Sequence, residues 1–369
     1  MKILVQICRL VVGVLFIISG FVKIIDPIGM GYKLEEYFSP SVLNFAGLMN
    51  FHLPLAVIIT MLEIILGLFL LLGIAKKFTV WTLLAMISFF TFLTFYSAYF
   101  NKVTDCGCFG EALKLEPWTS FIKDAILLVF VVIILFEQRF IRPLFSQKTN
   151  AIIIAIACLV SLFAAYKGIY SSPLIDFRAY AVGKDLKKEM MTAEELGLKP
   201  SRYAVFYTLK NKETNETVTL NDAEYIADEK WYKADSPWEI IEDKTEKKRI
   251  YKGYEAPIKD FRIDCNGVDK TLDYLNVPKV VMVVVPFAEK LSTEKKLRIA
   301  SFIQKLKDEN IDTVILSNNP IEKLHEPVCL ADQTVLKTIT RSNPGIIVLE
   351  NGVVKSKFHY NDWPTIEAF

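Results

Sequence analysis

The chain has 369 residues, 52% of them hydrophobic, and the apolar residues crowd into its first half. That asymmetry argues against a wholly soluble protein and orders the chain as a membrane domain followed by a soluble one. A net charge of +2, from 43 Lys and Arg against 41 Asp and Glu, excludes strong global steering by nucleic acid or by an acidic substrate.

Windows of about twenty residues, matched to a hydrocarbon core about 30 Å thick, give five expected spans at 3–25, 53–74, 78–100, 121–136 and 151–166. The first is too long in its apolar core for a secretory signal, and no small-x-small cleavage site follows "FIISGFVKIID", so it is read as retained. Lys and Arg stay on the cytoplasmic side of short loops. Lys76 and Lys77 follow span two, and Arg139, Arg142 and Lys148 follow span four. The other loops carry Asp26, Glu35 and Glu36 after span one, and Asp105, Glu111 and Glu116 after span three. This pattern predicts a multi-pass protein of the bacterial cytoplasmic membrane with its N-terminus inside. The stretch "TDCGCFGEALK" and everything after span five then lie outside, in the periplasm.

Span one carries Arg9, Gly13, Phe16, Gly20 and Lys23 at three- and four-residue steps, one stripe of a helix. Small residues there admit a close neighbour, and two cations avoid lipid, so the stripe is expected to face the bundle interior. Glu63 lies near the middle of span two, where a carboxylate costs on the order of 3 kcal/mol unless it is paired or protonated. Arg9 lies about five residues, roughly 7 Å, from the middle of span one. It is the expected partner of Glu63, ahead of Lys23. An ion pair that fixes helix register is read ahead of a proton relay.

Cys8 and Cys158 fall within spans and read as packing residues, because a thiol behaves as a small apolar group. Cys106, Cys108, Cys265 and Cys329 fall on the predicted oxidising side, where disulfides persist, and three pairings of the four are open. A Cys-x-Cys disulfide closes a small, strained ring, so Cys106 and Cys108 with Gly107 between them suit a redox pair that oxidises others. A tight turn capped by Gly107 and Gly110 is the bland alternative. A metal site ranks behind both: two thiolates suit Cu(I), whereas closed zinc sites want four ligands and only His52 offers an obvious third.

Together, "RLVVGVLFIISGFVKIIDP", the mid-membrane Glu63 and the loop "CGCFG" resemble the DoxX-like membrane proteins, and within them the methylamine-utilisation MauE proteins. The resemblance covers about the first 145 residues. It implies a four-helix membrane bundle, linked in the MauE case to maturation of a disulfide-rich periplasmic enzyme subunit. It does not imply that this protein handles methylamine.

After the last span, "YSSPLIDFR" reads as an exit linker. The charged, tyrosine-rich stretch that follows shows one hairpin, 203–211 against 216–226, and no catalytic constellation. A sequon at Asn215 reads as chance. From residue 256 the pattern becomes strand, turn at Asn266-Gly267, helix, a buried strand "KVVMVVVPF", a helix at 292–310 and a buried strand "IDTVILSNN". A further helix and a hairpin at Asn351-Gly352 complete an α/β layer architecture. This order is similar to thioredoxin and redoxin proteins. "SNPGIIVLENGVV" looks like their cis-proline segment, which implies a cis bond before Pro344. Their C-x-x-C position reads "PFAEKLSTEKK" here, so the domain has no thiolate with which to attack a disulfide. Cys265 and Cys329 are read as separate buried thiols rather than a pair, and His325 and His359 as surface or satisfied histidines.

The fold expected is a membrane all-α bundle of four to five helices followed by a soluble thioredoxin-like α/β domain. The boundaries are 1–148 for the bundle, 149–169 for the fifth helix, 170–255 for an α+β insert and 256–369 for the thioredoxin-like domain. The function expected is extracytoplasmic thiol and disulfide handling, or maturation of a periplasmic partner. Cys106 and Cys108 form the redox pair, and Glu63, Arg9 and Lys23 are the intramembrane polar candidates. A periplasmic thiol protein or client is the expected partner, membrane lipid surrounds the bundle, and nucleic acid is not expected. No resident cofactor is assigned; a quinone, as electron acceptor or as cargo of a channel through the bundle, is suggested by Glu63 alone. The rival reading is a non-catalytic scaffold presenting a thioredoxin-like protein-binding domain.

Overall fold

The computed structural model describes residues 1–366 apart from Asn101, Thr104 and Cys106. Helix α1 (Lys2–Ile25) is followed directly by α2 (Pro27–Phe38). The break between them is Asp26, whose side chain accepts from the Gly29 amide while Pro27 occupies the first helical position. A short α3 (Ala46–Met49) precedes α4 (His52–Leu72), which Gly73 ends in the left-handed conformation that glycine favours. Then come α5 (Lys76–Phe100), α6 (Pro117–Phe136) and α7 (Gln147–Tyr170). Five of these helices, α1, α4, α5, α6 and α7, are long and apolar enough to cross a membrane.

Helix α1 packs on α4 and α5 on α6, with α1 also meeting α6 and α7. The α1–α4 crossing is antiparallel and close. A Cβ on Gly67 would stand 2.8 Å from the Gly13 carbonyl oxygen, and one on Gly20 would stand 2.9 Å from the Thr60 carbonyl oxygen. Arg9, Gly13, Phe16, Gly20 and Lys23 are all buried, so the stripe does face the interior.

Residues 185–261 form a separate compact unit. It holds α8 (Leu186–Met190), β1 (Arg202–Asn211), β2 (Thr217–Asn221), α9 (Asp222–Ala227), β3 (Trp238–Ile240) and β4 (Glu246–Tyr251). Strand β1 pairs antiparallel with each of the other three. The hairpin is shorter than expected because Asn221 stops β2. Its side chain accepts from the Glu224 amide and Glu224 reaches back, a capping box that starts α9 within the expected second strand.

The rest of the chain, residues 262–369, groups with the bundle in one unit. Its described part comprises β5 (Asp264–Cys265), β6 (Val268–Asp269), α10 (Thr271–Asn276), β7 (Lys279–Val285), α11 (Thr293–Asp308), β8 (Asp312–Ser317), β9 (Val328–Leu330), α12 (Gln333–Ile339), β10 (Gly345–Glu350) and β11 (Val353–His359). The sheet order is β11-β10-β7-β8-β9-β5-β6, with β7, β8 and β9 parallel. Val281, Val283 and Val285 of β7 pack with Ile299 and Ile303 of α11 in the core. Asn266-Gly267 and Asn351-Gly352 both turn through positive φ, as two-residue hairpins require. The Asn343–Pro344 bond is cis.

The structure corrects two further expectations in this domain. Cys265 and Cys329 form a disulfide. Strand β5 pairs antiparallel with β9 so that Asp264 faces Leu330, which brings the two Cα atoms to 4.4 Å. The linker after α7 also belongs to the α/β domain rather than to the insert. Gly183 donates to the Val354 carbonyl, Val354 donates to that of Lys184, and Lys357 pairs with Asp176 at 2.7 Å.

Candidate functional site at the Cys-Gly-Cys loop

The loop between α5 and α6 carries the cysteine pair. Cys106 lies outside the described residues. The Gly107 amide donates to the Asp105 side chain at 3.1 Å, and the Gly110 amide donates to the Gly107 carbonyl at 3.1 Å, closing a turn around Cys108. Gly107 has φ +66, a conformation that glycine favours, and a Cβ there would stand 3.2 Å from Cγ of Lys33, so the loop lies close against α2. Cys108 is partly exposed. Its carbonyl accepts from Ser19 Oγ at 2.8 Å, which ties the loop to α1.

The same Ser19 oxygen lies 3.2 Å from Glu63 Oε2, and Glu63 forms an ion pair with Lys23. Both charged side chains are almost fully buried, at 1% and 4% exposure. The expected partner, Arg9, does not reach Glu63. Because α1 and α4 run antiparallel, Gly20 faces Thr60, Glu63 and Ile64, whereas Gly13 faces Gly67 and Leu71. Glu63 is therefore level with Ser19 and Lys23, and Arg9 sits ten residues, about 15 Å, away along α1. Arg9 donates instead to the carbonyls of Leu70 at 2.7 Å and Leu71 at 2.6 Å. It caps the last turn of α4, adding to the bond that the Leu70 carbonyl accepts from the Gly73 amide, and a cation there also suits the helix dipole.

Two intramembrane residues escaped the sequence reading. Asp124 of α6 is 2% exposed, paired with Lys123 and 3.2 Å from Thr94 Oγ1. With Ser19, Glu63, Phe90 and Phe109 they line a small cavity beside the loop. The signal was a Lys-Asp dipeptide close to the start of an apolar run, which reads as an interfacial end rather than as a buried pair.

A second anchor comes from the α/β domain. Arg341 forks onto Asp26, with Nε 3.0 Å from both carboxylate oxygens and Nη2 2.7 Å from Oδ2, and Nη2 lies 3.5 Å from Glu111 Oε1. Burial pushes the Asp26 carboxyl up, but the charge and hydrogen bonds of Arg341, with Arg178 and the Gly29 amide, outweigh it and hold Asp26 below the usual range. Burial likewise pulls the Arg341 guanidinium down, and Asp26 more than restores it. Tyr32 of α2, 6.2 Å from the ring of Phe287 and under the Lys337 ammonium at 4.9 Å, is pushed up to about 12, chiefly by burial. Asn361 also donates to the Tyr170 carbonyl. The ends of α1 and α7 and the Cys-Gly-Cys loop thus all lie at the end of the bundle that meets the α/β domain.

The remaining candidates stand apart. No group of three or more His, Cys, Asp or Glu able to hold a metal occurs among the described residues. His52 Nδ1 is buried without a hydrogen-bond partner, against Gly31. Cys8 and Cys158 are thiols within α1 and α7. After β7, where a C-x-x-C would sit, Phe287 exchanges two hydrogen bonds with the Asn343 side chain.

No curated protein and no solved structure gives a significant match to the chain. Residues 1–137, which include α1, α4, α5, α6 and the Cys-Gly-Cys loop, match the family described as methylamine utilisation protein MauE. The membrane bundle of this multi-pass protein is therefore MauE-like.

Proposed function

We propose that the protein handles thiols and disulfides outside the cytoplasm through Cys106 and Cys108. The observation that carries this reading is the seating of the loop. Cys108 is partly exposed, while its carbonyl is held by Ser19 and the loop's Glu111 lies beside Arg341 of the α/β domain. A partly exposed cysteine on a braced turn suits exchange with a partner protein. The Lys and Arg of the loops after α4 and α6 support a cytoplasmic N-terminus, with the α/β domain in the periplasm of a bacterial cytoplasmic membrane.

The reaction would be disulfide exchange. A partner thiolate attacks one sulfur of the Cys106–Cys108 disulfide and forms a mixed disulfide. The partner's second thiolate then displaces the remaining protein sulfur. The partner loses two electrons and two protons and gains a disulfide, and Cys106 and Cys108 become thiols. Restoring the pair passes two electrons and two protons to an acceptor of the quinone class, which becomes a quinol. The α/β domain, whose sequence has no cysteine directly after β7, would dock the client.

The test is alkylation of intact cells with a membrane-impermeant reagent before and after mild reduction, with Cys106 and Cys108 read by mass spectrometry. Labelling only after reduction is expected. Equal labelling without reduction sinks the redox reading and leaves the scaffold, which the missing C-x-x-C favours. Loss of function in the double variant Cys106→Ser/Cys108→Ser separates the two in the same way, because a scaffold tolerates it.

A further inference from the structure

Arg341 lies between α12 and the Asn343–Pro344 bond, and its guanidinium side chain is 5% exposed. It is bound on every side. Nε and Nη2 hold Asp26, Nη1 donates to the Lys337 carbonyl at 2.6 Å, and the group stands 5.6 Å over the ring of Tyr32. Gly29 makes room for it, since a Cβ there would stand 2.6 Å from Nη2. The loop residue it approaches, Glu111, follows Cys108 by three positions, with Gly110 at positive φ between them.

The surrounding charges give this contact chemical meaning. Asp26, Asp105 and Glu111 border the cleft beside Gly107, together with Lys23 and Lys33. Lys23 is committed to Glu63, and Lys33 pairs with Glu36 at 3.0 Å. Glu111 also pairs with Lys114 at 3.0 Å, so the loop is bordered by both signs, and Arg341 is the permanent positive charge that the α/β domain adds to it. A nearby cation stabilises a thiolate, and stabilising the reduced form makes a disulfide a stronger oxidant.

We infer that Arg341 is a positioning residue for the cysteine pair, through which the α/β domain fixes the loop and sets how strongly the pair oxidises. This rests on the proposed redox function. It gives the α/β domain a part in the chemistry without a cysteine of its own: docked, it brings the charge that tunes the pair.

The experiment uses the full-length protein in nanodiscs, equilibrated with glutathione buffers. In the titrated reaction the Cys106–Cys108 bond breaks, two glutathione thiols give up their hydrogens to the cysteines, and one glutathione disulfide forms. Arg341→Gln is expected to shift the exchange constant about tenfold toward a less oxidising pair, which is about 30 mV for this two-electron couple. Arg341→Lys keeps the charge and is expected to stay near the wild type. Glu111→Gln removes a carboxylate from the loop without touching the Arg341–Asp26 fork and is expected to shift the pair the opposite way. A merely structural contact would not move the two variants in opposite directions. A wild-type pair that titrates, with Arg341→Gln and Glu111→Gln both unchanged, overturns this role and leaves the redox reading standing. A wild-type pair that does not titrate overturns the redox reading, and this inference with it.

Discussion

Residues Val280 to Val285 of strand β7 in the α/β domain have no solvent exposure, whereas in α7 only 22% of the most apolar stretch is buried inside the protein. The two regions are assembled by different forces. In water the valines of β7 leave solvent for a packed interior, which stabilises by roughly 25 cal/mol per Å² of apolar surface. In a bilayer a leucine gains little by leaving lipid, so helices associate through close packing and interhelical polar contacts. The bundle shows both devices, in the glycine contacts of α1 with α4 and in Lys23–Glu63. The α/β domain has its apolar core and the Cys265–Cys329 bond.

The contrast is sharpened most by Glu63. Replacing it with alanine leaves the Lys23 ammonium buried without a counter-ion, a change that costs on the order of 3–5 kcal/mol in buried pairs. Thermal unfolding in detergent should show a larger loss for Glu63→Ala than for Cys329→Ser, Gly67→Val or Asp26→Asn. The double variant Lys23→Met/Glu63→Leu should recover most of the loss, because well-packed apolar residues substitute for a buried ion pair. If the double variant were as unstable as the single one, the pair would be serving something other than charge neutralisation.

Cys329→Ser tests the other region. Opening a bond between residues 64 apart should cost about 2–4 kcal/mol, and reductant should lower the stability of the wild type by a similar amount and that of the variant far less. A smaller effect is expected from Gly67→Val. The new side chain meets the Gly13 carbonyl and the Ile17 backbone nitrogen, atoms that cannot turn aside as a flexible side chain can. Overpacking of this kind costs about 1–3 kcal/mol. A stable Gly67→Val protein would mean that the α1–α4 crossing is looser than its geometry.

The same contrast explains what could be read from the sequence. The strands β7 and β8 and the helix between them were legible because a continuous apolar run and an amphipathic helix each carry their signal locally. The spans were legible for the same reason, as was the buried stripe from Arg9 to Lys23, which follows from helical periodicity. Partners across elements were not. Glu63 meets Lys23 rather than Arg9 because of the vertical offset between two antiparallel helices, and that offset is set by the Gly20 and Gly67 contacts. The Cys265–Cys329 bond depends on β5 joining the sheet beside β9, a strand that follows it only after β6, β7 and β8. Arg341 and Asp26 are 315 residues apart, and neither carries a local mark of the other.

The smallest effect expected concerns that last contact, and it reads the junction of the two regions. The Asp26 carboxyl is held below its ordinary value of 3.8, so it remains charged in the folded protein where the unfolded chain would already be binding protons. A carboxyl depressed in this way contributes its stability in full above the unfolded pKa and loses it as pH falls through the folded one. Asp26→Asn keeps an oxygen for the Gly29 amide, and asparagine is as good a helix cap as aspartate, so α2 should start where it does now. What the variant loses is the charge opposite Arg341, about 1 kcal/mol as the difference between a charge-assisted and a neutral hydrogen bond. The stability gap between wild type and Asp26→Asn should therefore be level from about pH 8 down to about 5 and close only below about pH 4. Comparing the two proteins at each pH cancels the titration of the other carboxylates. A gap that closes between about pH 7 and about pH 5 would show that Arg341 does not hold Asp26 ionised, and the α/β domain would then rest on the bundle through Tyr32, Phe287 and Lys337 rather than through charge.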